Sequence, residues 1–297
     1  MLLKSDKMKT LGWPAAVVAS VIMASCGSSR HADKGDHSLP GTWQAQPITI
    51  DGDSKDWPSP YPSYDAKAMV AYATSNDRKY LYITMETGDE LTQTKILKQG
   101  LTVTIDTSGK KDGTFHINYP LQNDEGVVDL TDEIDFKTGH TNSRFEQKIK
   151  KVTKESTQYS LEGFTACNGG FAISQTTACG IKVKMSLDEY KELVWEAAVP
   201  VKALYGIDSL PPSYAGRPIS VGFIVKGFHQ KSKSDKNNEN GGGGMSPAMG
   251  GGQGMGGMGG GRGGRGGGGG GRMQAEDPKA KLYETTKTWK QFGLAIQ

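Results

Sequence analysis

The chain has 297 residues, of which 35% are hydrophobic and 23% are charged, and its formal net charge is +3 at pH 7. This length and apolar content suffice for one large folded domain or two smaller ones, which excludes a chain that is disordered throughout. The nearly balanced charge produces no overall field that favours polyanions, so binding of nucleic acid through net charge is also excluded.

The amino terminus has the composition of an export signal. Basic residues up to Lys9 precede an apolar segment at 11–23 that is too short to span a bilayer, and small residues then lead to Cys26. This order resembles the signal of bacterial lipoproteins; an ordinary secretory signal and a buried helix are the alternatives. We expect residues 1–25 to be removed and Cys26 to carry a lipid, which would anchor the protein in the bacterial cell envelope, at the outer membrane.

Residues 26–46 are mainly small, polar or charged, and they offer little apolar surface to bury. Such a composition predicts a flexible tether between the lipid and the folded part of the chain. His31 and His37 lie in this tether, and a mobile segment does not preorganise metal ligands. We expect residues 47–297 to form a single domain.

The predicted domain opens with a phrase that runs from Ile48 to Pro58. Its β-branched residues stop at Asp51-Gly52, a pair that turns easily because Gly tolerates positive φ and Asp bonds back to its own backbone. Trp57 then follows. The phrase predicts a short strand, a turn and a large aromatic side chain.

Alternating apolar and polar residues predict most of the remaining strands. These strands span 69–74, 80–86, 101–106, 115–119, 158–165, 181–185, 193–200, 219–225 and 285–295. Residues 89–99 predict a short helix that ends at Gly100. Residues 122–154 keep no lasting period, and we expect them to form an excursion packed against one face or edge of the sheets.

Two cysteines, Cys167 and Cys179, follow Cys26 in the chain. In an exported protein such a pair persists as a disulfide, and this one would close a loop of about a dozen residues, worth roughly 3 kcal/mol. A redox-active pair would need closely spaced thiols, so the predicted role is structural.

Residues 231–277 form a low-complexity segment. Within it, residues 241–272 contain 21 of the 41 glycines, together with four methionines and three arginines. This composition predicts a disordered loop that interrupts the domain. Its Arg-Gly-Gly phrases resemble those of RNA-binding tails, but no aromatic residue is interleaved and an export signal precedes them, so we expect no nucleic acid partner.

Three phrases resemble signatures of the family-nine carbohydrate-binding modules and the related DOMON group. They are Ile50-Asp51-Gly52 followed by Trp57, Ser75-Asn76-Asp77 followed by the strand from Tyr80, and Leu193–Pro200, a strand with a Glu, small residues and a final Val-Pro. The resemblance extends with gaps from Ile48 to Ala295. It implies a mainly β fold, namely an antiparallel β-sandwich with jelly-roll or immunoglobulin-like layers and short helical excursions. It also implies carbohydrate as the leading ligand class.

A sugar site needs an exposed aromatic ring that covers the apolar face of a sugar, with amide or acid groups at its rim. The candidate rings are those of Trp57, Tyr61, Tyr64 and Trp195. Packing in the core is the alternative for each, because burial is the commonest use of a large ring. Both uses fit the sequence.

Asp51, Asp53 and Asp56 form an acidic group whose oxygens suit calcium, and some relatives in the carbohydrate-binding group hold calcium. The spacing departs from the helix-loop-helix calcium motif, because Lys55 occupies a ligand position and the required glycine is absent. Turn chemistry is the alternative explanation. The DOMON group also contains haem proteins, but this chain has no haem-attachment pair. We therefore expect no cofactor, with calcium as the alternative.

The chain has no catalytic motif that we can recognise. It lacks a Gly-x-Ser-x-Gly elbow, a phosphate loop and a His-Glu-x-x-His pair, and its five histidines are scattered. A carboxylate pair for glycoside cleavage stays open, because only the separation of the two groups in space would reveal it. We expect a noncatalytic, envelope-anchored lipoprotein that binds a glycan. The alternative is a structural or assembly lipoprotein whose partner is another envelope protein.

Overall fold

The computed structural model describes residues 39–121, 130–135, 140–228 and 278–297. In chain order, its strands are β1 (Leu39–Pro40), β2 (Ser63–Asp65), β3 (Val70–Asn76), β4 (Tyr80–Thr87), β5 (Leu101–Asp106), β6 (Phe115–Tyr119), β7 (Ile134–Asp135), β8 (His140–Thr141), β9 (Gln158–Glu162), β10 (Gly169–Ala172), β11 (Lys182–Leu187), β12 (Leu193–Pro200), β13 (Pro218–Val225) and β14 (Thr286–Gly293). The helices in these ranges are α1 (Glu90–Gln99), α2 (Ser143–Glu155), α3 (Val201–Tyr205) and α4 (Pro278–Tyr283).

Most of the strands belong to two sheets. One sheet has seven strands in the order β1-β14-β13-β5-β6-β9-β10, and the other has five in the order β11-β12-β4-β3-β2. The short strands β7 and β8 pair with each other. In the part of the chain that the structure describes, each pairing of these strands is antiparallel except that of β1 with β14. The predicted mainly β, antiparallel sandwich is confirmed.

The main core lies between the two sheets. Val221 and Phe223 of β13 are fully buried, as are Ile83 and Met85 of β4. The ring of Phe223 packs against Tyr72 of the other sheet, with a centroid separation of 5.1 Å. Side chains alternate along a strand, so the residues between these point toward the two outer faces of the sandwich.

Helix α1 begins and ends where the sequence predicts. Its N-cap residue, Asp89, accepts a hydrogen bond from the backbone nitrogen of Thr92 at 2.8 Å, which satisfies one of the free donors of the first turn. The helix stops at Gly100, whose φ of 78° is a conformation that glycine adopts without strain.

Helix α2 lies at the end of the stretch 122–154 and packs against β11, the edge strand of the five-stranded sheet, as the predicted excursion requires. The helix itself is not predicted. Phe145 and Ile149 are one turn apart and buried, and they form a narrow apolar stripe on an otherwise polar helix. The stripe is short and lies among lysines, which is why the sequence pattern does not reveal it.

Two predictions at the start of the domain are wrong. The predicted tether runs to residue 46, yet β1 pairs with β14, and the backbone of Asn76 bonds to Thr42 and Gln44 at 3.0 and 2.8 Å. The strand predicted at Ile48 joins neither sheet. Backbone hydrogen bonds at a free sheet edge need no apolar side chains, so composition underestimates the order of residues 39–44.

Cys167 and Cys179 form the predicted disulfide, with their Cα atoms 6.0 Å apart. Cys167 follows β9 of the seven-stranded sheet, and Cys179 precedes β11 of the five-stranded sheet. The bond therefore closes a loop within the segment of chain that connects the two sheets.

Several predicted features lie outside the described residues, namely the signal peptide, the lipid-bearing Cys26 and the glycine-rich segment 231–277. Within the described ranges, no helix combines the length and apolar character needed to cross a membrane.

Candidate functional site

The opening phrase folds over the outer face of the five-stranded sheet. Ile48 and Trp57 pack there against Ala73, Tyr82 and Ala198, in an apolar cluster separate from the main core. Trp57 keeps only 6% of its surface exposed. The phrase therefore converts part of this outer face into a second, smaller interior.

Glu196 of β12 holds this covering segment in place. Its carboxylate accepts hydrogen bonds from Nε1 of Trp57 at 2.6 Å and from the backbone nitrogens of Gly52 and Asp51 at 2.6 and 3.1 Å. Glu196 is fully buried, and burial raises its pKa to about 7 although these donors act to lower it. The Asp-Gly turn and the tryptophan of the phrase thus share one structural anchor.

The four predicted platform residues do not form one site. Trp195 is fully buried between the sheets and Trp57 is buried beneath the covering segment, so both rings pack in the protein interior. Tyr61 is partly buried, and its hydroxyl lies 3.0 Å from Oγ1 of Thr84. Of the four, only Tyr64, on the edge strand β2, presents a largely exposed side chain, at 59%.

The three predicted calcium ligands take part in local turns. Oδ1 of Asp51 accepts the backbone N–H of Asp53 at 2.9 Å, and Oδ1 of Asp53 accepts that of Lys55 at 3.1 Å. Asp56 accepts the backbone N–H of Thr49 at 2.9 Å. Among the described residues, no three metal-ligating side chains are arranged to hold a metal ion. The three carboxylates thus each accept a backbone N–H group of the opening phrase.

An exposed aromatic residue that the sequence analysis does not identify lies on the turn between β11 and β12. Tyr190 is 76% exposed, the largest exposed fraction among the large hydrophobic side chains of the described residues. Asp188 fixes the turn, because its Oδ1 accepts the backbone N–H groups of Tyr190 at 2.9 Å and Glu192 at 2.8 Å. The ring is thus held in solvent by a hydrogen-bonded turn rather than by a loose loop.

One cleft beside Tyr190 lies between this turn and the amino-terminal ends of α1 and α2. It has a volume of about 510 Å³, and its lining includes Gln93, Asn142, Glu146 and Glu192. Nε2 of Gln93 donates to the carbonyl oxygens of Thr87 and Lys191 at 2.9 and 2.8 Å, which ties the Tyr190 turn to α1. The turn therefore has a rigid support on the cleft side.

A second cleft lies on the other side of the same turn. It has a volume of about 460 Å³ and is bounded by the opening phrase, including Asp51 and Lys55, and by Ser186, Asp188 and Glu189. Tyr190 lines both clefts. The exposed ring is consequently flanked on both sides by carboxylate, hydroxyl and ammonium groups.

Carboxylates next to the Tyr190 turn are electrostatically coupled. Burial, followed by the nearby charges of Glu192 and Asp188, raises the pKa of Glu86 to about 7. Burial and Asp188 also raise the pKa of Glu192. Glu86 is therefore partly protonated near neutral pH.

The sequence does contain a signal for this site. Asp188-Glu189-Tyr190-Lys191 is a charged stretch between two predicted strands, at 181–185 and 193–200. An aromatic residue flanked by charges in such a turn has no apolar neighbours to pack against, which indicates exposure.

No protein-family model and no curated protein matches the chain. Among solved structures, the chain is similar to a family 9 carbohydrate-binding module from Caldicellulosiruptor kristjanssonii in complex with cellotriose. The TM-score is 0.30 and the identity 12%, over 64% of this chain and 76% of that module.

Proposed function

We propose that this protein is a noncatalytic glycan-binding lipoprotein of the bacterial envelope and that its ligand binds at the Tyr190 turn. One observation carries the proposal: an aromatic side chain that is 76% exposed stands between two polar clefts. Stacking on an aromatic face and hydrogen bonding at its rim are the two interactions that a sugar ring requires.

The polar groups around the ring can hydrogen-bond to the hydroxyl groups of a sugar. Glu192 and Asn142 line the first cleft, whereas Lys55 and Asp188 line the second. Acceptors and donors are therefore both within reach of a bound chain. The two linings hold more carboxylates than lysines, which disfavours an anionic ligand. A sugar chain that crosses Tyr190 could place one unit on the ring and its neighbours in the clefts.

The support of the turn favours affinity. Asp188 fixes its backbone and Gln93 joins it to α1, so little conformational entropy has to be lost when a ligand binds.

Envelope anchoring is the second part of the proposal. The lipoprotein-like signal ending at Cys26 supports it, and a disulfide between Cys167 and Cys179 fits an oxidising compartment outside the cytoplasm. Labelling cells with a radioactive fatty acid should mark the wild-type protein and leave Cys26→Ser unlabelled. Equal labelling of both would contradict the anchor.

Binding is tested by titrating purified full-length protein calorimetrically with cellohexaose, xylohexaose and mannohexaose. Tyr190→Ala should weaken binding at least tenfold, whereas Tyr190→Phe should retain most of it because the ring remains. Tyr64→Ala is the matched control, since it removes an exposed tyrosine from the opposite edge strand of the same sheet.

Two results would overturn the proposal. One is an absence of binding to all three oligosaccharides, and the other is binding that Tyr190→Ala leaves unchanged. If affinity capture from glycan-free envelope extracts instead gave a stoichiometric protein partner that Tyr190→Ala releases, an assembly lipoprotein would be the better description.

A further inference from the structure

The outer face of the seven-stranded sheet carries a row of side chains that the proposed site does not use. Strand register places five residues side by side across β14, β13, β5, β6 and β9: Trp289, Gly222, Thr104, His116 and Glu162. Their neighbours along these strands, such as Val221, Phe223 and Ile117, are fully buried in the core. The row therefore faces away from the core, and it spans four inter-strand spacings, about 19 Å.

The indole of Trp289 lies directly on the backbone of the next strand. A Cβ atom placed on Gly222 would be 2.7 Å from Cδ2 and 2.8 Å from Cε3 of Trp289, closer than atoms can approach. Only glycine leaves room for the ring to lie down on the sheet at this position. The same Cβ atom would be 2.7 Å from Oγ1 of Thr104, which is 1% exposed although it points outward.

Trp289 is nevertheless not a core residue. It is partly exposed, and neither of the two apolar clusters includes it. The Nζ atom of Lys287, two residues earlier on the same face, lies 5.0 Å from the centre of its ring. Lys287 is exposed, so its flexible side chain can move aside or donate to a ligand at the rim of the ring.

Beyond the tryptophan, the same face presents an ordered polar network. Oγ1 of Thr102 donates to Oδ1 of Asn118 at 2.6 Å. Nδ2 of Asn118 donates in turn to Oγ of Ser160 at 3.1 Å and to Oε1 of Glu162 at 3.0 Å. Rim groups on three neighbouring strands are thus already oriented.

We propose that this face is a second binding surface for a glycan, formed by Trp289 and the network around Asn118. The ligand class rests on the proposed function, but the residues are separate from the Tyr190 turn and lie on the other sheet. A cation at one end, Lys287, and an anion at the other, Glu162, give no preference for a charged polymer. A flat row of this length fits a neutral oligosaccharide chain rather than a single small molecule.

The competing explanation is structural, because a tryptophan that covers a glycine also shields the backbone of a strand. That explanation does not require the partial exposure of the ring or the oriented polar groups beside it. Binding stoichiometry separates the two, since a purely structural tryptophan adds no second ligand.

The test titrates the full-length protein with the same three hexasaccharides. Wild-type protein should bind two oligosaccharides per chain. Trp289→Ala and Tyr190→Ala should each bind one, and the double variant should bind none. Gly222→Ala keeps the indole of Trp289 but must displace it, so this variant should also bind only one oligosaccharide. Trp289→Phe should bind two, with the affinity of the second site weakened severalfold.

Insoluble polysaccharide gives an independent measurement. Two sites on different sheets allow one molecule to attach at two points, so either single variant should reduce retention on cellulose, xylan or mannan at least tenfold relative to wild type. Thermal unfolding of each variant identifies any that fails to fold. If Trp289→Ala does not fold, Asn118→Ala is used to test this face instead, because it leaves the indole over Gly222.

The outcomes distinguish the two proposals. One oligosaccharide per chain in both wild type and Trp289→Ala, lost in Tyr190→Ala, would overturn the second surface and leave the proposed function intact. If wild-type protein binds one oligosaccharide per chain, and this binding is lost in Trp289→Ala but kept in Tyr190→Ala, the result would support this face and overturn the Tyr190 site. No binding to any probe would overturn both.

Discussion

The two outer faces of the sandwich differ in how deeply each buries a tryptophan. On the five-stranded sheet, Trp57 is 6% exposed and donates its indole N–H to the buried Glu196. On the seven-stranded sheet, Trp289 lies over Gly222 with part of its surface in solvent. The difference arises from the opening phrase, which covers the first face. The structural role of a tryptophan on a strand or turn therefore depends on which distant segment covers it.

Replacing Trp57 by Ala is the change with the largest expected effect on stability. It removes a buried ring and leaves Glu196 with two of its three donors, so the free energy of unfolding should fall by roughly 4 kcal/mol. Trp289→Ala is the matched change on the open face and should cost roughly 1 kcal/mol, because part of its ring is already exposed. Urea titration followed by circular dichroism measures both. Equal losses would mean that the two faces do not differ as described.

A smaller loss is expected when the anchor rather than the ring is removed. Glu196→Ala leaves three donors without their acceptor, and the free energy of unfolding should fall by roughly 3 kcal/mol. Glu162→Ala is its counterpart on the open face, where the exposed carboxylate accepts from Asn118. Equilibrium unfolding should show a much smaller change for Glu162→Ala. A mild effect of Glu196→Ala would indicate that the opening phrase is held mainly by its apolar contacts.

Much of the fold, including the longer strands of both sheets, could be predicted from the sequence. Alternation locates β3, β4, β5, β12 and β13, because each has one face in the core. Asp89 and Gly100 mark α1, because cap residues meet the requirements of helix ends locally. These elements depend on neighbouring residues alone, which is why a single sequence reveals them.

The candidate sites could be predicted only in part. Trp57 and Trp195 have the right chemistry for a platform, but distant segments bury them. Trp289 is part of a predicted strand, and its position over Gly222 depends on strand register, which alternation does not specify. The exposure of Tyr190 could have been predicted from the sequence, since its charged neighbours indicate an exposed turn.

The covered face should also make stability depend on pH. Glu86 and Glu196 have pKa values raised from 4.5 to about 7, so the folded protein binds their protons more tightly than the unfolded chain does. Their stabilising contribution is therefore complete below about pH 4.5 and is lost as the pH rises through about 7, by roughly 2 kcal/mol after allowing for solvent screening at Glu86.

Urea unfolding measured at several pH values between 4.5 and 7.5 tests this dependence. Glu86→Gln keeps the shape of the side chain but cannot ionise, so its stability should fall less steeply over the same range. A wild-type protein whose stability rises across this window would contradict the predicted sign.

The smallest effect on stability is expected for Tyr190→Ala, because little of its ring is buried and the turn is fixed by Asp188 rather than by the ring. The free energy of unfolding should change by less than about 0.5 kcal/mol, within the usual range for exposed positions. Asp188→Ala should cost more, roughly 1 kcal/mol, because two backbone N–H groups lose their acceptor. A substitution that leaves stability unchanged yet weakens oligosaccharide binding tenfold identifies a residue that serves the ligand rather than the fold. If Tyr190→Ala instead destabilised the protein as much as Asp188→Ala, the ring would be part of the structure of the turn, and its exposure would no longer point to a ligand.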